Sequence, residues 1–323
     1  MKLLVTGLAG FIGSHSAQRL LARGDELVGL DNFDETLYPA ALHARNLEFV
    51  QQCGGKLSFQ HGDLTDERLI AALFDAHRFD AVLHLGALAG VRPSLVQPLR
   101  YEHVNVRGTL ILLEAMRRHG VGRLAFASSS SVYGAHNEVP FRESDPAVHP
   151  ASPYAATKRA AELLCETYAS LYGMRIASLR FFTVYGPRQR PEMAIHKFAR
   201  QILDGEPLPF YGDGTTARDY TYIDDIVDGV VAAIDSTSAY GATRGHAIYN
   251  LGGSRTTTLA DLVAMLEERL GRRASLDRQP DQAGDVPITY ADVSLAERAL
   301  GYAPKVPIEE GLSRFCAWLT SAS

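Results

Sequence analysis

The segment SPYAATKRAAELL, residues 152–164, sets Tyr154 and Lys158 four positions apart. Residues at that spacing share one helix face. Ser152 is a natural N-cap, Pro153 a natural first helical residue and Gly173 a natural stop, so the sequence predicts a helix with Tyr154 in its first turn. A tyrosine hydroxyl titrates near about 10, too high for a base at neutral pH. A neighbouring ammonium favours the phenolate and lowers that value, which makes the pair a credible general base. Upstream, FASSSSVYG closes an apolar run with Ser128, Ser129, Ser130 and Ser131. A hydroxyl there can bridge a substrate alcohol and Tyr154, and ligands gather at such strand ends in parallel sheets.

A second constellation lies at the N-terminus. VTGLAGFIG places Gly7, Gly10 and Gly13 between a strand-like run and a helical period. Glycines permit the tight turn and let backbone N–H groups approach a pyrophosphate, which then faces the positive end of the helix. The spacing is G-x-x-G-x-x-G rather than G-x-G-x-x-G, but a strand before it and a helix after it are the context a dinucleotide site requires. Asp31 ends the second strand, where a carboxylate accepts from both hydroxyls of an adenosine ribose and repels a 2′-phosphate, so NAD is expected rather than NADP. Asp63, in HGDL at the end of the third strand, falls at the adenine edge. A cationic nicotinamide ring would join Lys158 in favouring the Tyr154 phenolate.

These groups need a scaffold. KLLVTG, ELVGLD, KLSFQHGD, DAVLHLGA, GRLAFASS and RIASLRFF read as strands, and residues 12–23, 66–77, 101–119 and 152–172 as helices between them. Nearly continuous apolar strands alternating with helices imply an α/β fold, a Rossmann-type doubly wound parallel sheet covered on both faces. After TVYGPRQRP the pattern loosens, with helical periods over 193–203, 225–234, 259–270 and 308–319. The expected division is a NAD-binding domain over 1–183, with later segments returning to it, and a smaller mixed α/β substrate lobe over 184–323. The chain has 323 residues, enough for one large domain or two. Its net charge of −5 gives no reason to expect a nucleic acid or an anionic membrane as partner. Cys53, Cys165 and Cys316 are too far apart for a disulfide framework or a metal cluster, and they read as reduced, cytoplasmic thiols. No stretch reaches the length of a membrane span, and the N-terminal run is too short and Gly-rich for a signal peptide.

TGLAGFIGSH, HLGALAGVR, SSSSVYG, SPYAATK, RFFTVYGPRQRPEMA, GDGTTARDYTYIDD and YNLGG stand in the order of the extended short-chain dehydrogenases/reductases. The chain resembles their NAD-dependent nucleotide-sugar epimerase/dehydratase group over nearly its whole length. The resemblance implies that Ser129 takes the place of the catalytic Ser or Thr, Tyr154 that of the base and Lys158 that of its partner. It implies a cofactor shell of Gly7, Gly10, Phe11, Ile12, Gly13, Asp31, Asn32, Asp63, Leu64, Leu85, Ala87, Asn105 and Phe181, with Tyr154 and Lys158. For the substrate it implies Gly90, Val91, Arg92, Ser129, Ser130, Ser131, Tyr154, Thr183, Arg190, Ala194, Phe210, Arg218 and Asp285, with Arg218 on the nucleotide diphosphate. It also implies a homodimer, paired through a four-helix bundle by the helices over 101–119 and 152–172.

Dehydratases of this group carry an Asp–Glu pair directly after the catalytic Thr, where this chain has Ser130 and Ser131. Serines cannot replace an acid and a base, so dehydration is disfavoured; the Glu typical of uronate decarboxylases is missing too. Epimerases of neutral UDP-hexoses usually read RYFN at the sixth strand, and this chain reads RFFT. Thr183 and GPRQRPEMA most resemble UDP-glucuronate 4-epimerases, and Arg190 can meet a sugar carboxylate with a charge-assisted bond. The loop PDQAGDV departs from the Arg or Met-Gln-Pro of many relatives. The expectation is 4-epimerisation of a UDP-sugar, UDP-glucuronate to UDP-galacturonate, through a 4-keto intermediate. Two other readings stay open: a UDP-glucose or UDP-N-acetylhexosamine 4-epimerase, and a non-catalytic NAD-binding sensor on the same fold.

Overall fold

Each apolar run becomes a strand because its side chains can be buried on both faces at once. A computed structural model describes residues 1–134, 138–239, 241–280 and 286–321. Its strands are β1 (Lys2–Thr6), β2 (Glu26–Asp31), β3 (Lys56–His61), β4 (Ala81–His84), β5 (Arg123–Ser129), β6 (Arg175–Phe181), β7 (Thr183–Tyr185), β8 (Pro207–Tyr211), β9 (Ala217–Arg218), β10 (Tyr220–Tyr222), β11 (His246–Leu251), β12 (Thr257–Thr258) and β13 (Ser275–Gln279). The helices are α1 (Phe11–Ala22), α2 (Ala40–Gln52), α3 (Glu67–Ala76), α4 (Val91–Val96), α5 (Pro98–Glu102), α6 (Gly108–Arg118), α7 (Pro153–Tyr172), α8 (Ala194–Asp204), α9 (Ile223–Ser236), α10 (Leu259–Leu270), α11 (Ser294–Leu300) and α12 (Ile308–Ser321).

Seven strands form one sheet in the order β11-β6-β5-β4-β1-β2-β3, every pair parallel. This is the Rossmann-type α/β architecture the sequence predicts. β1, β4 and β5 are buried along almost their whole length, whereas β3, at the edge, alternates with exposed positions. The strand order reverses between β1 and β4. In such sheets ligands bind in the crevice at that switch point, outside the carboxyl ends of the strands. β11 arises late in the chain yet pairs with β6, Asn250 opposite Arg180. α9 likewise lies beside α1, with Arg23 Nη1 2.8 Å from the Asp235 carboxylate.

Two helices differ from expectation. The helix read over 101–119 starts at Pro98 and passes through a π turn, His103–Arg107, before continuing as α6. A π turn inserts one extra residue and leaves no mark on apolar spacing. α2 was not foreseen at all. Its buried residues are His43, Asn46 and Val50, so its inward stripe is mostly polar and lacks a hydrophobic period. Among the described residues no helix is long and apolar enough to cross a membrane, and no cluster of His, Cys, Asp and Glu could hold a metal ion.

Candidate active site

A groove opens over the carboxyl ends of β1 to β4. Its floor is the glycine turn. Gly7 has φ +69°, and a Cβ there would come within 2.7 Å of the Gly86 backbone. A Cβ on Gly13 would meet the Gly7 carbonyl at 2.0 Å, so the helix packs against the turn only because both are glycine. Gly10 caps α1 without a side chain, and the first turn of α1, with Phe11 and Ile12, carries no acid. Its N–H groups are left for an anion.

Asp31 stands at the adenosine end of this groove. Its Oδ2 accepts from the Ala9 N–H at 3.0 Å and its Oδ1 from Phe33 N–H at 2.9 Å; burial pushes its carboxyl upward. Asp63 is fixed by the Asn32 amide at 2.7 Å and by the Thr65 N–H and hydroxyl. Burial alone would raise the Asp63 carboxyl, but these donors outweigh it and hold it below its usual range. Leu64, Leu85 and Ala87 line the same wall, and Phe181 ends β6 nearly buried. Asn105, in the π turn, spends its amide on structure. It exchanges two 2.9 Å bonds with the backbone of Leu88 and donates to Thr157 Oγ1 at 3.1 Å, pinning the groove wall to α7. The residues present therefore fit a dinucleotide.

The base helix forms as its sequence dictates. Ser152 Oγ accepts from the Ala155 N–H at 3.1 Å, Pro153 opens α7, and Gly173 closes it at φ +66°. Tyr154 is 8% and Lys158 4% exposed. Burial pushes the Tyr154 phenol up, while the Ser129 hydroxyl and then Arg190 pull it down. Lys158, expected from the sequence to be the cation that lowers Tyr154, donates its Nζ to the Ala127 carbonyl at 2.8 Å and lies 5.2 Å from the Phe126 ring centre. Burial drops the Lys158 ammonium to about 8. Ser129 Oγ donates to Ser131 Oγ at 3.1 Å, and the Ser131 N–H returns a bond of 3.2 Å, so Ser129, Ser130 and Ser131 turn together at the end of β5.

Arg190 lines the same groove as Asp31 and Asp63, with Nε 3.2 Å from Glu192 and Nη2 3.3 Å from Met193 Sδ. Thr183 starts β7, its N–H bonded to the Asp219 carbonyl at 3.1 Å. Ala194 opens α8 behind Met193, which offers no side-chain cap. Gly90, at φ +103°, turns the chain into Val91 and Arg92, and the Arg92 guanidinium sits 5.5 Å from the Tyr211 ring centre. Phe210, the neighbour of Tyr211, is buried under Arg278 at 5.2 Å. Arg218 donates to the carbonyls of Ala217 at 2.9 Å and Pro287 at 3.4 Å. Asp285 lies outside the described residues.

Sequence reasoning passed over two features. Tyr38 and His43 form part of the groove wall. Glu162 and Arg180, 0% and 1% exposed, form a buried bidentate ion pair with two 2.9 Å bonds. Glu162 also accepts from Ser128 Oγ at 2.6 Å and from Arg159 at 3.0 Å. One carboxylate thus ties the helix of Tyr154 and Lys158 to β5 beside Ser129 and to β6. The available signal was Arg180, a charge alone inside the apolar strand RIASLRFF, with Glu162 one turn beyond Lys158 on the same face.

Comparison with known proteins follows the same lines. A family model described as GDP-mannose 4,6 dehydratase matches residues 4–315. The chain is 43% identical to UDP-glucuronate 4-epimerase 4 of Arabidopsis thaliana, over 98% of this chain and 75% of that protein. It is 40% identical to the UDP-glucuronate 4-epimerase of Thermodesulfobacterium geofontis, over 98% and 95%. The crystal structure of UDP-glucuronic acid 4-epimerase from Bacillus cereus, in complex with UDP-glucuronic acid and NAD, aligns over 100% of both chains with a TM-score of 0.92 and 36% identity.

Proposed function

We propose, from the premise that the chain belongs to the GDP-mannose 4,6-dehydratase family of short-chain dehydrogenases/reductases, that it is an NAD-dependent isomerase inverting C4 of UDP-glucuronate to give UDP-galacturonate. The observation that carries this reading is the meeting of Ser129, Tyr154 and Arg190 beside the glycine groove, with neutral Ser130 and Ser131 where dehydration needs carboxylates.

Bound NAD supplies the hydride acceptor and donor for C4. Gly7, Gly10 and Gly13 would hold its pyrophosphate and Asp31 its adenosine ribose, with Asp63 at the adenine. Tyr154 Oη takes the proton of the C4 hydroxyl, and Ser129 Oγ hydrogen-bonds the same oxygen. The 4-keto sugar then turns its other face, and Tyr154 returns the proton to the new C4 oxygen. That intermediate is a β-keto acid, prone to lose carbon dioxide. Arg190 holds the carboxylate out of the orientation that cleaves, while Thr183 and the serines add neutral donors. Arg218, Phe210 and Ala194 take the nucleotide diphosphate side. In this reading residues 1–183 with β11 and α9 carry the cofactor, and the remainder of 184–323 forms the UDP lobe.

The chain works as a cytoplasmic homodimer joined through α5, α6 and α7. Leu99 at 83% exposure, with exposed Leu110, Leu163 and Leu171 on the same helices, supports that pairing. The free thiols Cys53, Cys165 and Cys316 fit a reducing compartment.

The test is product analysis after mixing purified protein with UDP-glucuronate and no added reductant. UDP-galacturonate is the expected product. Inertness toward UDP-glucuronate alongside turnover of UDP-glucose would sink the proposal. Arg190→Ala is expected to release a UDP-pentose or to strand reduced cofactor; clean, slow epimerisation by that variant would refute the role given to Arg190.

A further inference from the structure

The adenosine end of the groove holds a polar ring that nothing else in the fold employs. His43 is 6% exposed and lines the groove beside Asp31 and Tyr38; the Asp34 backbone approaches its ring, but neither ring nitrogen makes a hydrogen bond of good geometry. The nearest carboxylate oxygen, Asp31 Oδ1, stands 3.6 Å from Nδ1, beyond hydrogen-bond reach. The ring is not free to swing away. It stacks on Tyr38 at 4.3 Å and 8°, and on Phe33 at 5.7 Å and 20°. Buried polar groups without partners are rare in native proteins and call for an explanation.

Each Asp31 oxygen is oriented by one backbone N–H, from Ala9 or Phe33, and keeps a lone pair for a further donor. Two fixed acceptors and one unpaired imidazole therefore converge on a single spot. We infer that His43 is a further cofactor-binding residue: with Asp31 it completes the seat of the adenosine ribose and hydrogen-bonds one hydroxyl of the 2′,3′-diol. The inference rests on the NAD reading of the groove.

The same pair favours a diol over a 2′-phosphate. Burial holds the His43 imidazole below its ordinary range, so at neutral pH it adds no positive charge beside Asp31. The Arg190 guanidinium, which lines the same groove near Tyr38, is paired with Glu192. A phosphate ester at the 2′ position would bring added negative charge to Asp31 and lose the donor that the diol offers.

Calorimetric titration of protein stripped of cofactor tests this directly, because it reads binding without turnover. His43→Ala is expected to bind NAD about tenfold more weakly than the unmodified protein, as the loss of one buried hydrogen bond requires. UDP-glucuronate affinity should be unchanged. His43→Gln, which keeps a polar group at similar reach, should recover most of the loss. NAD binding by His43→Ala within about twofold of the unmodified protein overturns the inference. Equal weakening of NAD and UDP-glucuronate overturns it as well, since that pattern marks a general folding defect. Failure of the unmodified protein to bind NAD overturns the reading of the groove, and the inference with it.

Discussion

The catalytic corner and the adenosine wall border one groove but are built differently. Around Tyr154 the groups come from one helix and one strand end, and their spacing is local: one helical turn separates Tyr154 from Lys158, and Ser128 and Ser129 are adjacent. Around Asp31 the wall is a pile of rings. Phe33 packs on Phe59 at 5.7 Å and against His61 at 5.3 Å, then on His43, which stacks on Tyr38. Those rings come from one strand, β3, from the loop between β2 and α2, and from α2 itself. The corner is held by a buried ion pair and hydrogen bonds; the wall is held by stacking, and the His43 imidazole in it makes no hydrogen bond of good geometry. Proton transfer needs groups fixed to within tenths of an ångström, which bidentate bonds supply, whereas gripping a ribose needs shape and a few donors or acceptors. The two regions should therefore be separable by mutation.

Tyr154→Phe is the harshest test of that separation. Removing the base should cut kcat about a thousandfold or more, while calorimetry shows NAD affinity unchanged. An equal collapse of NAD binding would mean that the corner and the wall are one unit. Glu162→Gln should come next. It leaves Arg180 buried with its charge uncompensated, at a cost of about 3 kcal/mol in denaturant unfolding. His43→Ala, which removes a stacked ring but strands no buried charge, should move the same unfolding curve less. If Glu162→Gln unfolds like the unmodified protein, the corner is not held by this pair.

The smallest effect is a pH slope. The Lys158 ammonium falls from 10.5 to about 8 on burial, so between those values the unfolded chain holds a proton that the folded chain has released. Stability should then rise with pH across that window, by at most about 1.4 kcal/mol per pH unit. Lys158→Met should remove that part of the slope. An identical slope in both proteins would show that the amine sits in a more solvated place than its burial implies.

How much of this was legible depended on the kind of signal. The strands of the sheet were readable because parallel strands buried on both faces are unbroken apolar runs. α7 was readable from Ser152, Pro153 and Gly173, whose local chemistry fixes both ends. α2 was not, because His43 and Asn46 occupy its inward stripe. Asn46 there donates to the Ala9 carbonyl at 3.0 Å, bracing the glycine turn. The π turn under Asn105 was equally silent. The late return of β11 to the sheet was foreseen only in outline, since strand order depends on crossovers rather than on composition.

By itself the sequence marked out the candidates for proton transfer, the glycine turn at the start of α1, and the alternation that builds a parallel sheet, because each depends on near neighbours in the chain. Only the tertiary structure decided that Lys158 turns to the Ala127 carbonyl, that Arg190 comes near Tyr154, and that His43 is brought beside Asp31. Those relations join residues far apart in sequence. Burial, which sets both their charges and their unmet hydrogen bonds, exists only once the chain has closed around them.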